Sequence, residues 1–243
     1  MTLEVCANSI ESALAAWHGG AHRIELCSNL ERGGLTPGPG TIAEACRRLD
    51  IPVMVLLRPR AGHFHYTAAE QEVMLASAKF CRQAGAAGLV VGALTADGMP
   101  DRPFLEKICA LAEGMDLTFH RAFDLCRDPG RALEQLRQLG IRRVLTAGGA
   151  ATAAEGADQI RRWQALAGSA VELMAGGGLT PDNLEEVWRR TGVHAFHLSA
   201  KTWIAADAAP ALGPADASGW YQTSEAVVRR ARAVIDRLRG ESA

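Results

Sequence analysis

Three side chains that can carry charge follow one apolar segment of this sequence. The stretch Leu117–Asp124 opens as a buried strand and then places His120, Arg121 and Asp124 where the strand ends in a loop. Strand interiors seldom hold so much polarity unless the groups are paired or used. If the strand belongs to a closed parallel barrel, its carboxyl end is where active sites form. The segment therefore predicts a functional site before any substrate is known.

Polar residues share one face on several other strand-like segments. Successive side chains of a strand alternate between two faces, and in a barrel the apolar face meets the helices while the polar face converges on the axis. The residues of polar parity are Glu4, Glu25, Arg58, His120, Glu172 and His197. Their convergence predicts a pocket in which His120, Glu25 or Glu172 moves a proton while Arg58 holds an anion. A salt-bridge network filling the barrel is the alternative.

Glycine runs follow the sixth and seventh strand-like segments. Gly148 and Gly149 follow the sixth, and Gly176, Gly177 and Gly178 follow the seventh. Glycines let backbone amides approach an anion closely, and the late loops of a barrel often bind phosphate in this way. Both runs are candidates for binding an anionic ligand. The alternative is that they only permit tight turns between strand and helix.

Cys6 and Cys27 occupy equivalent inward positions on neighbouring strands. Neighbouring strands lie about 4.8 Å apart, so the two thiols could share a soft ion, and the small number of ligands suits Cu(I). The alternative is that both are small buried apolar residues. The six cysteines of the chain form no Cys-x-x-Cys pair, which favours reduced thiols over a disulfide framework.

Two histidines stand two residues apart in the sequence His63-Phe64-His65, after the third strand-like segment. They could bind a metal of borderline softness. No carboxylate lies nearby at ligand spacing, which favours a loop over the pocket instead.

The elements that must position these residues alternate regularly between strand and helix. Eight strand-like runs are each followed by a segment of helical spacing, for example Ser9–Trp17, Ala68–Gln83 and Pro129–Leu139. The strand-like runs are Leu3–Asn8, Arg23–Asn29, Val53–Arg58, Gly88–Leu94, Leu117–Ala122, Arg143–Ala147, Ala170–Ala175 and Ala195–Ser199. Eight such units in about 250 residues predict an α/β protein with a (β/α)8 TIM barrel. An open sheet is the alternative, but no Gly-x-Gly-x-x-Gly turn follows the first strand.

The alternation stops near residue 203. Ile204–Trp220 is rich in Ala, Pro and Gly and predicts a loop, and Gln222–Arg239 predicts a final helix whose arginines form a solvated face. We therefore expect a barrel over residues 1–203 and a C-terminal loop and helix of the same domain over residues 204–243.

Composition excludes several classes of protein. The 243 residues carry 26 basic and 27 acidic side chains, and 48% are hydrophobic, which is typical of a soluble globular protein. A net charge of -1 gives no electrostatic reason to expect nucleic acid or an anionic membrane as a partner. No apolar run is long enough to span a bilayer, and the chain opens directly on a strand without a signal segment. These features predict a cytoplasmic protein.

Several motifs, in order, resemble the CutC family of copper homeostasis proteins. They are Arg23-Ile24-Glu25-Leu26-Cys27, Gly33-Gly34-Leu35-Thr36-Pro37, Arg58-Pro59-Arg60-Ala61-Gly62, Thr118–Asp124 and Gly176-Gly177-Gly178. The resemblance implies a cytoplasmic TIM barrel that forms a homo-oligomer, such as a dimer or tetramer. It also implies a role in copper binding or tolerance, with Cys6 and Cys27 as the Cu(I) ligands. The sequence departs from the family at His63, where an acidic residue is common, and at Ala147, where serine is common.

Two functions of different classes follow. The first is a Cu(I)-binding copper homeostasis protein that uses Cys6 and Cys27. The alternative is an enzyme acting on a small anionic metabolite, such as a phosphorylated one, at the carboxyl end of the barrel. A barrel that acts only through protein contacts is a third possibility, and nothing in the sequence marks a surface for it.

Overall fold

Eight parallel strands close into a barrel in chain order, with the last strand hydrogen-bonded to the first. The computed structural model describes residues 1–205 and 219–241. The barrel strands are β1 (Thr2–Ala7), β2 (Arg23–Leu26), β3 (Val53–Leu57), β4 (Gly88–Val91), β5 (Asp116–Phe119), β6 (Arg143–Thr146), β7 (Glu172–Gly176) and β8 (Ala195–Leu198). The predicted (β/α)8 TIM barrel is thereby confirmed.

Helices surround the barrel and follow the strands in alternation. They are α1 (Ile10–His18), α2 (Pro39–Arg48), α3 (Ala68–Gln83), α4 (Arg102–Leu111), α5 (Pro129–Gln138), α6 (Ala157–Ala167), α7 (Leu184–Thr191) and α8 (Glu225–Glu241). Helix α3 has the predicted bounds because Thr67 and Glu70 form a reciprocal capping box at its start. Within the described ranges, none of these helices has both the length and the apolar character that crossing a bilayer requires.

The alternating parity of the strands separates two interiors. On β1, Leu3, Val5 and Ala7 are fully buried in the large apolar layer between strands and helices. Cys6, on the opposite parity, belongs to a small separate cluster inside the barrel, which also contains Cys27, Met54, Leu56 and Val90. The polar parity therefore faces the barrel axis, as the sequence predicts.

Strand β5 is shorter than predicted. It ends at Phe119, and Arg121–Leu125 forms a 3₁₀ helix in place of the end of the expected strand. His120 caps this helix, because its Nδ1 accepts a hydrogen bond from the amide of Ala122 at 3.0 Å. Because the 3₁₀ helix replaces the end of the strand, the alternation of side chains between two faces does not apply to Arg121 and Asp124.

The predicted loop over Ile204–Trp220 is wrong at both of its ends. β9 (Lys201–Ala205) pairs antiparallel with β10 (Gly219–Thr223), and residues 206–218 lie outside the described residues. Trp203 and Tyr221 contact edge to face, with 5.0 Å between ring centroids, which stabilises the pair. The surrounding segment is rich in Ala, Pro and Gly, so its sequence shows no strand period for these two short strands.

The C-terminal elements pack on the start of the barrel. Helix α8 contacts α1, α7 and β1, and Val228 lies so close to Gly19 that a β-carbon there would be 2.6 Å from Val228 Cβ. The side-chain amide of Asn8 donates to the carbonyl of Tyr221 at 3.0 Å and ties β10 to the end of β1. The domain bounds at residues 203 and 204 stay a prediction.

Candidate functional site

A cavity of about 410 Å³ opens at the carboxyl end of the barrel. This volume lies within the range of small-molecule sites. Its walls include Cys6, Glu25, Leu30, Gly33, Leu56, Arg58, Phe64, His120, Arg121, Leu145, Gly177, Gly178, Leu179, His197, Leu198, Ser199 and Lys201. Five of the seven residues predicted as catalytic lie in this lining: Glu25, Arg58, His120, Arg121 and His197.

The two predicted metal ligands lie side by side. Cys6 Sγ and Cys27 Sγ are 3.4 Å apart, both residues are buried, and neither forms a disulfide. Gly34 passes over them, since a β-carbon at Gly34 would lie 3.6 Å from Cys27 Sγ. Met54 packs in the same cluster. Thiolate sulfur is a donor that Cu(I) prefers, so the pair of cysteines fits a soft monovalent ion.

An ion cluster lies next to the thiols inside the barrel. Arg23 Nε donates to the carboxylate of Glu4, a residue that is fully buried. His197 Nδ1 lies 2.8 Å from Glu4 Oε1 and 3.3 Å from Glu25 Oε2. Cys6, Glu25 and His197 also bring ligand atoms within 4.8 Å of one another. The ion cluster therefore adjoins the thiol pair. The inward polar residues form a salt-bridge network inside the barrel, and some of them also line the cavity.

The surroundings fix the charges in this cluster. Burial would raise the pKa of Glu4, but the hydrogen bond from His197 and the charge of Arg23 lower it to about 2. Burial would lower the pKa of His197, but Glu25, Cys6 and Glu4 together raise it well above its usual range. Burial raises the pKa of Glu25 to about 7. His197 is therefore an imidazolium between two glutamates.

The thiol of Cys6 is held in its protonated form. Its contact with Cys27 is the largest cause that raises its pKa well above the usual range, followed by burial and by the nearby Glu25. The contact with His197 acts in the opposite direction and favours the thiolate. A metal bound here must displace the proton, because only the thiolate is a ligand.

His120 presents an unpaired donor to the cavity. Its Nδ1 accepts from the amide of Ala122, so the ring proton resides on Nε2, and Nε2 is buried without a hydrogen-bond partner in the described structure. Burial, followed by the charge of Arg58, lowers the pKa of His120 to about 3. His120 is therefore neutral and can donate from Nε2, but it is a poor general base.

Arg58 connects loops and has few donors left for a ligand. Its Nη1 donates to the carbonyls of Arg32 and Gly34, both at 3.0 Å, and its Nη2 donates to the carbonyl of Gly62 at 3.1 Å. The guanidinium also stacks on Phe64 at 5.1 Å from the ring centroid. Arg58 Nε is buried and has no hydrogen-bond partner among the described residues, so the anion-binding role of Arg58 stays a prediction.

The side chain of Asp124 extends from the 3₁₀ helix after β5 into the loop after β6. Its carboxylate accepts from the amides of Ala147 and Gly149, from the hydroxyl of Thr146, and from Arg121 Nε at 2.8 Å. Neither Asp124 nor Gly148 lines the cavity. The amide of Gly148 donates to the hydroxyl of Thr146 at 2.9 Å, so this loop is satisfied within the protein and Asp124 holds it in place.

The glycines after β7 divide into two roles. Gly177 and Gly178 line the cavity, whereas Gly176 does not. A β-carbon at Gly176 would lie 2.5 Å from Leu145 Cδ1 and 3.1 Å from His197 Cβ, so this glycine makes room for two inward side chains. Only Gly177 and Gly178 keep the predicted position for binding a ligand.

Glu172 lies outside the site. It is the first residue of β7, its side chain is 41% exposed, and it pairs with Arg143 at 2.8 Å. The prediction that Glu172 lies in the pocket is wrong. Glu172 is at the amino end of its strand, whereas the cavity opens at the carboxyl end of the barrel. Among the loop residues after β3, Phe64 reaches the main cavity, while His63 and His65 line a smaller neighbouring pocket.

Sequence reasoning missed several residues of the site. Lys201 lines the cavity from β9, and Leu179 lines it from the loop after β7. Arg23 was not expected inside the barrel, although its position opposite Glu4 in the β1–β2 register could have indicated the pair. Lys201 follows His197 by only four residues, and this short spacing could have indicated that Lys201 lies near the site.

Comparison with known proteins places the chain in a family. The model of the CutC family matches residues 1–202. The chain belongs to the CutC family. A CutC family protein of Xylella fastidiosa is 47% identical over 204 residues, which are 84% of this chain and 76% of the relative. The human copper homeostasis protein cutC homolog is 44% identical over 200 residues, or 82% of this chain and 73% of the relative.

Solved structures agree with this assignment. The CutC protein of Streptococcus agalactiae superimposes with a TM-score of 0.78 at 31% identity, covering 82% of this chain and 98% of the other. Phosphoribosylanthranilate isomerase of Thermotoga maritima reaches a TM-score of 0.60 at 12% identity, covering 98% and 99% of the two chains. The second likeness concerns the TIM-barrel fold alone.

Proposed function

We propose that this CutC family protein takes part in copper homeostasis by binding Cu(I) at Cys6 and Cys27. The observation that carries the proposal is the 3.4 Å separation of the two buried thiol sulfurs. The thioether of Met54 packs in the same cluster inside the barrel, which keeps the surroundings of the thiols apolar. The human relative is named a copper homeostasis protein, and the match to it covers 73% of its length, which supports the same role.

The charges around the thiols favour this ion. Two thiolates and one monovalent cation carry a net charge of minus one, which the adjacent His197 imidazolium balances. A divalent ion on the same two thiolates would form a neutral complex and leave the charge of His197 unbalanced. Because the pKa of Cys6 is raised, Cu(I) affinity should increase with pH by about tenfold per pH unit for each displaced proton.

A titration of the reduced protein with Cu(I) against a competing chelator tests the proposal. We expect stoichiometric binding that the double variant Cys6→Ser/Cys27→Ser abolishes. The matched control is Cys46→Ser/Cys109→Ser, which changes two half-buried cysteines away from the cavity and should leave binding intact. Equal affinity of the Cys6→Ser/Cys27→Ser variant and the parent protein would contradict the proposal.

We place the protein in the cytoplasm as a homo-oligomer. Reduced cysteines support the location. Trp203 and Trp220 are 44% and 50% exposed on opposite faces of the β9–β10 pair, and each offers an aromatic ring for contact with a second copy. Light scattering of the purified protein tests the assembly, and a monomer at every concentration would contradict it.

A second candidate function is the binding or turnover of a small anionic metabolite. The observation that favours it is the size of the cavity, because about 410 Å³ is far more than a single ion needs. His120 lines this space, and its buried Nε2 has no hydrogen-bond partner among the described residues.

A further inference from the structure

The loop after β7 carries backbone donors without acceptors. Gly177, Gly178 and Leu179 line the cavity, and among the described residues no hydrogen bond is recorded from the amides of Gly178 and Leu179. Their loop is nevertheless fixed, since the carbonyl of Gly177 accepts from the amide of Ala153 and the carbonyl of Gly178 accepts from Asn183. Successive unpaired amides in a rigid glycine loop form a site for an anion.

Two cations accompany this loop. A β-carbon at Gly177 would lie 2.9 Å from Arg121 Nη1, so the guanidinium passes directly over the loop. Arg121 uses Nε for Asp124 and Nη2 for the carbonyl of Ala150, and its Nη1 has no acceptor in the described part of the chain. Lys201 lines the same cavity and, within residues 1–205 and 219–241, pairs with no carboxylate.

The number of free donors points to phosphate. The loop amides and one guanidinium nitrogen of Arg121 lie around Gly177, and Lys201, whose ammonium group rests on the ring of Tyr221 at 4.2 Å, adds a second cation to the same cavity lining. A phosphomonoester offers three terminal oxygens and nearly two negative charges, whereas a carboxylate offers two oxygens and one charge. Phosphate therefore matches both the count of donors and the charge of Arg121 and Lys201.

His120 supplies a donor of a different kind. It is 6% exposed, and its Nε2 proton has no acceptor among the described residues. Leaving such a group unpaired is unfavourable, and a ligand oxygen that accepts its proton would remove this cost. Because the imidazole is neutral, it suits an uncharged oxygen, such as a hydroxyl or a carbonyl, better than a second anion.

We propose that the cavity binds a small phosphomonoester that carries a hydroxyl or carbonyl oxygen. The phosphate lies against Gly177–Leu179, Arg121 and Lys201, and the uncharged oxygen accepts from His120 Nε2. This inference rests on the second candidate function and adds the chemical class and orientation of the ligand. It also replaces Arg58, whose Nη1 and Nη2 serve three carbonyls, as the group that holds the anion.

Calorimetric titration of the reduced, metal-free protein with four probes tests the proposal. The probes are glycerol 3-phosphate, glycerate, inorganic phosphate and glycerol. We expect glycerol 3-phosphate to bind about tenfold or more tightly than glycerate, since one further charge-assisted hydrogen bond contributes about 1.5–3 kcal/mol. Inorganic phosphate should bind more weakly than glycerol 3-phosphate, and glycerol should show no saturable binding.

Three variants separate the two ends of the ligand. Arg121→Gln and Lys201→Gln should weaken glycerol 3-phosphate and inorganic phosphate alike. His120→Asn should weaken glycerol 3-phosphate about fivefold or more, as expected for one lost hydrogen bond, and leave inorganic phosphate unchanged. Asparagine keeps an acceptor for the amide of Ala122, so the 3₁₀ turn retains its cap.

The controls address folding. Arg121→Gln also loses its bond to Asp124, so its thermal unfolding is measured alongside, and Lys201→Gln removes a cavity charge without breaking an ion pair recorded for the described residues. Arg127→Gln is the matched arginine control, because Arg127 pairs with Asp97 on the surface and does not line the cavity. It should leave all four titrations unchanged.

Each failure has a distinct meaning. Equal affinity for glycerate and glycerol 3-phosphate, or binding indifferent to Arg121→Gln and Lys201→Gln, overturns the phosphate assignment and leaves a metabolite pocket. An equal loss of inorganic phosphate in His120→Asn overturns the orientation. If neither phosphate probe nor glycerate binds while Cu(I) still binds to Cys6 and Cys27, the metabolite pocket and this inference both fall, and the copper proposal stands.

Discussion

The environment of His120 holds the imidazole in its neutral form. Burial and the charge of Arg58 lower its pKa to about 3, whereas in the unfolded chain it has the usual value of 6.5. Between these values the unfolded chain binds a proton that the folded protein does not. The free energy of unfolding therefore decreases as the pH falls below 6.5, and His120 contributes a slope of about 1.4 kcal/mol per pH unit.

His120→Asn should remove this contribution. We expect the free energy of unfolding of the variant to fall less steeply than that of the parent between pH 6 and about 4, while the two curves run parallel above pH 7. Urea unfolding at a series of pH values measures the difference, and all other titrating groups cancel in it. Parallel curves over the whole range would show that His120 is not held neutral by the fold.

At the residue scale, the sequence predicts which side chains face the barrel but not how deep they lie. Glu25 and Glu172 share the inward parity, yet Glu25 is the third residue of β2 and Glu172 is the first residue of β7. The two therefore lie at different heights along the barrel axis. Side-chain alternation has a period of two and contains no information about this height. Where the chain leaves the strand, as at Asp124, parity ceases to apply.

At the scale of elements, two glycines let the ends of the loop between β6 and α6 touch. A β-carbon at Gly156 would lie 1.9 Å from the carbonyl oxygen of Ala147, and one at Gly148 would lie 2.2 Å from the carbonyl oxygen of Gly156. Both neighbours are backbone atoms, which cannot turn aside as a side chain can. The contact keeps the loop closed around the carboxylate of Asp124.

Gly156→Ala should therefore destabilise the protein although its backbone angle suits any residue. We expect the free energy of unfolding to fall by about 1–3 kcal/mol, the usual cost of overpacking. The control is Gly40→Ala in α2, where an added β-carbon meets nothing within 4 Å and should be neutral or slightly stabilising. Equal stability of both variants in urea unfolding would show that the loop opens readily.

The elements themselves were largely predictable, because the apolar periods of strand and helix recur with their usual lengths. Helix α3 has the expected bounds, and Pro129 begins α5 as expected. The β9–β10 pair was not predictable, since the residues around its two strands are rich in Ala, Pro and Gly and show no strand period. Their pairing depends on a contact between Trp203 and Tyr221 that no local pattern indicates.

At the scale of the whole molecule, α8 seals the part of the barrel where β8 meets β1. Its inward side chains Val228, Ala231, Ile235 and Leu238 are fully buried. On its outer side, Arg229 is exposed and pairs with Glu225 one turn earlier. The helix is therefore part of the hydrophobic core and not an appendage.

Ile235→Ala should test this role. We expect it to lower the free energy of unfolding by about 2–5 kcal/mol, because it removes buried apolar surface and leaves a cavity. Arg229→Ala on the same helix should change it by no more than about 0.5 kcal/mol. A loss in Ile235→Ala as small as that in Arg229→Ala, measured by thermal or urea unfolding, would mean that α8 detaches without cost.

Cys6 and His120 line one and the same cavity, so the thiol site and the proposed phosphomonoester site are adjacent. Thermodynamic linkage then applies: whatever factor the organic ligand imposes on Cu(I) affinity, Cu(I) imposes on the affinity of the organic ligand. The loading of the barrel with copper would thus depend on the concentration of a metabolite. In a cell, such reciprocity would make the protein a joint sensor of metal and metabolism.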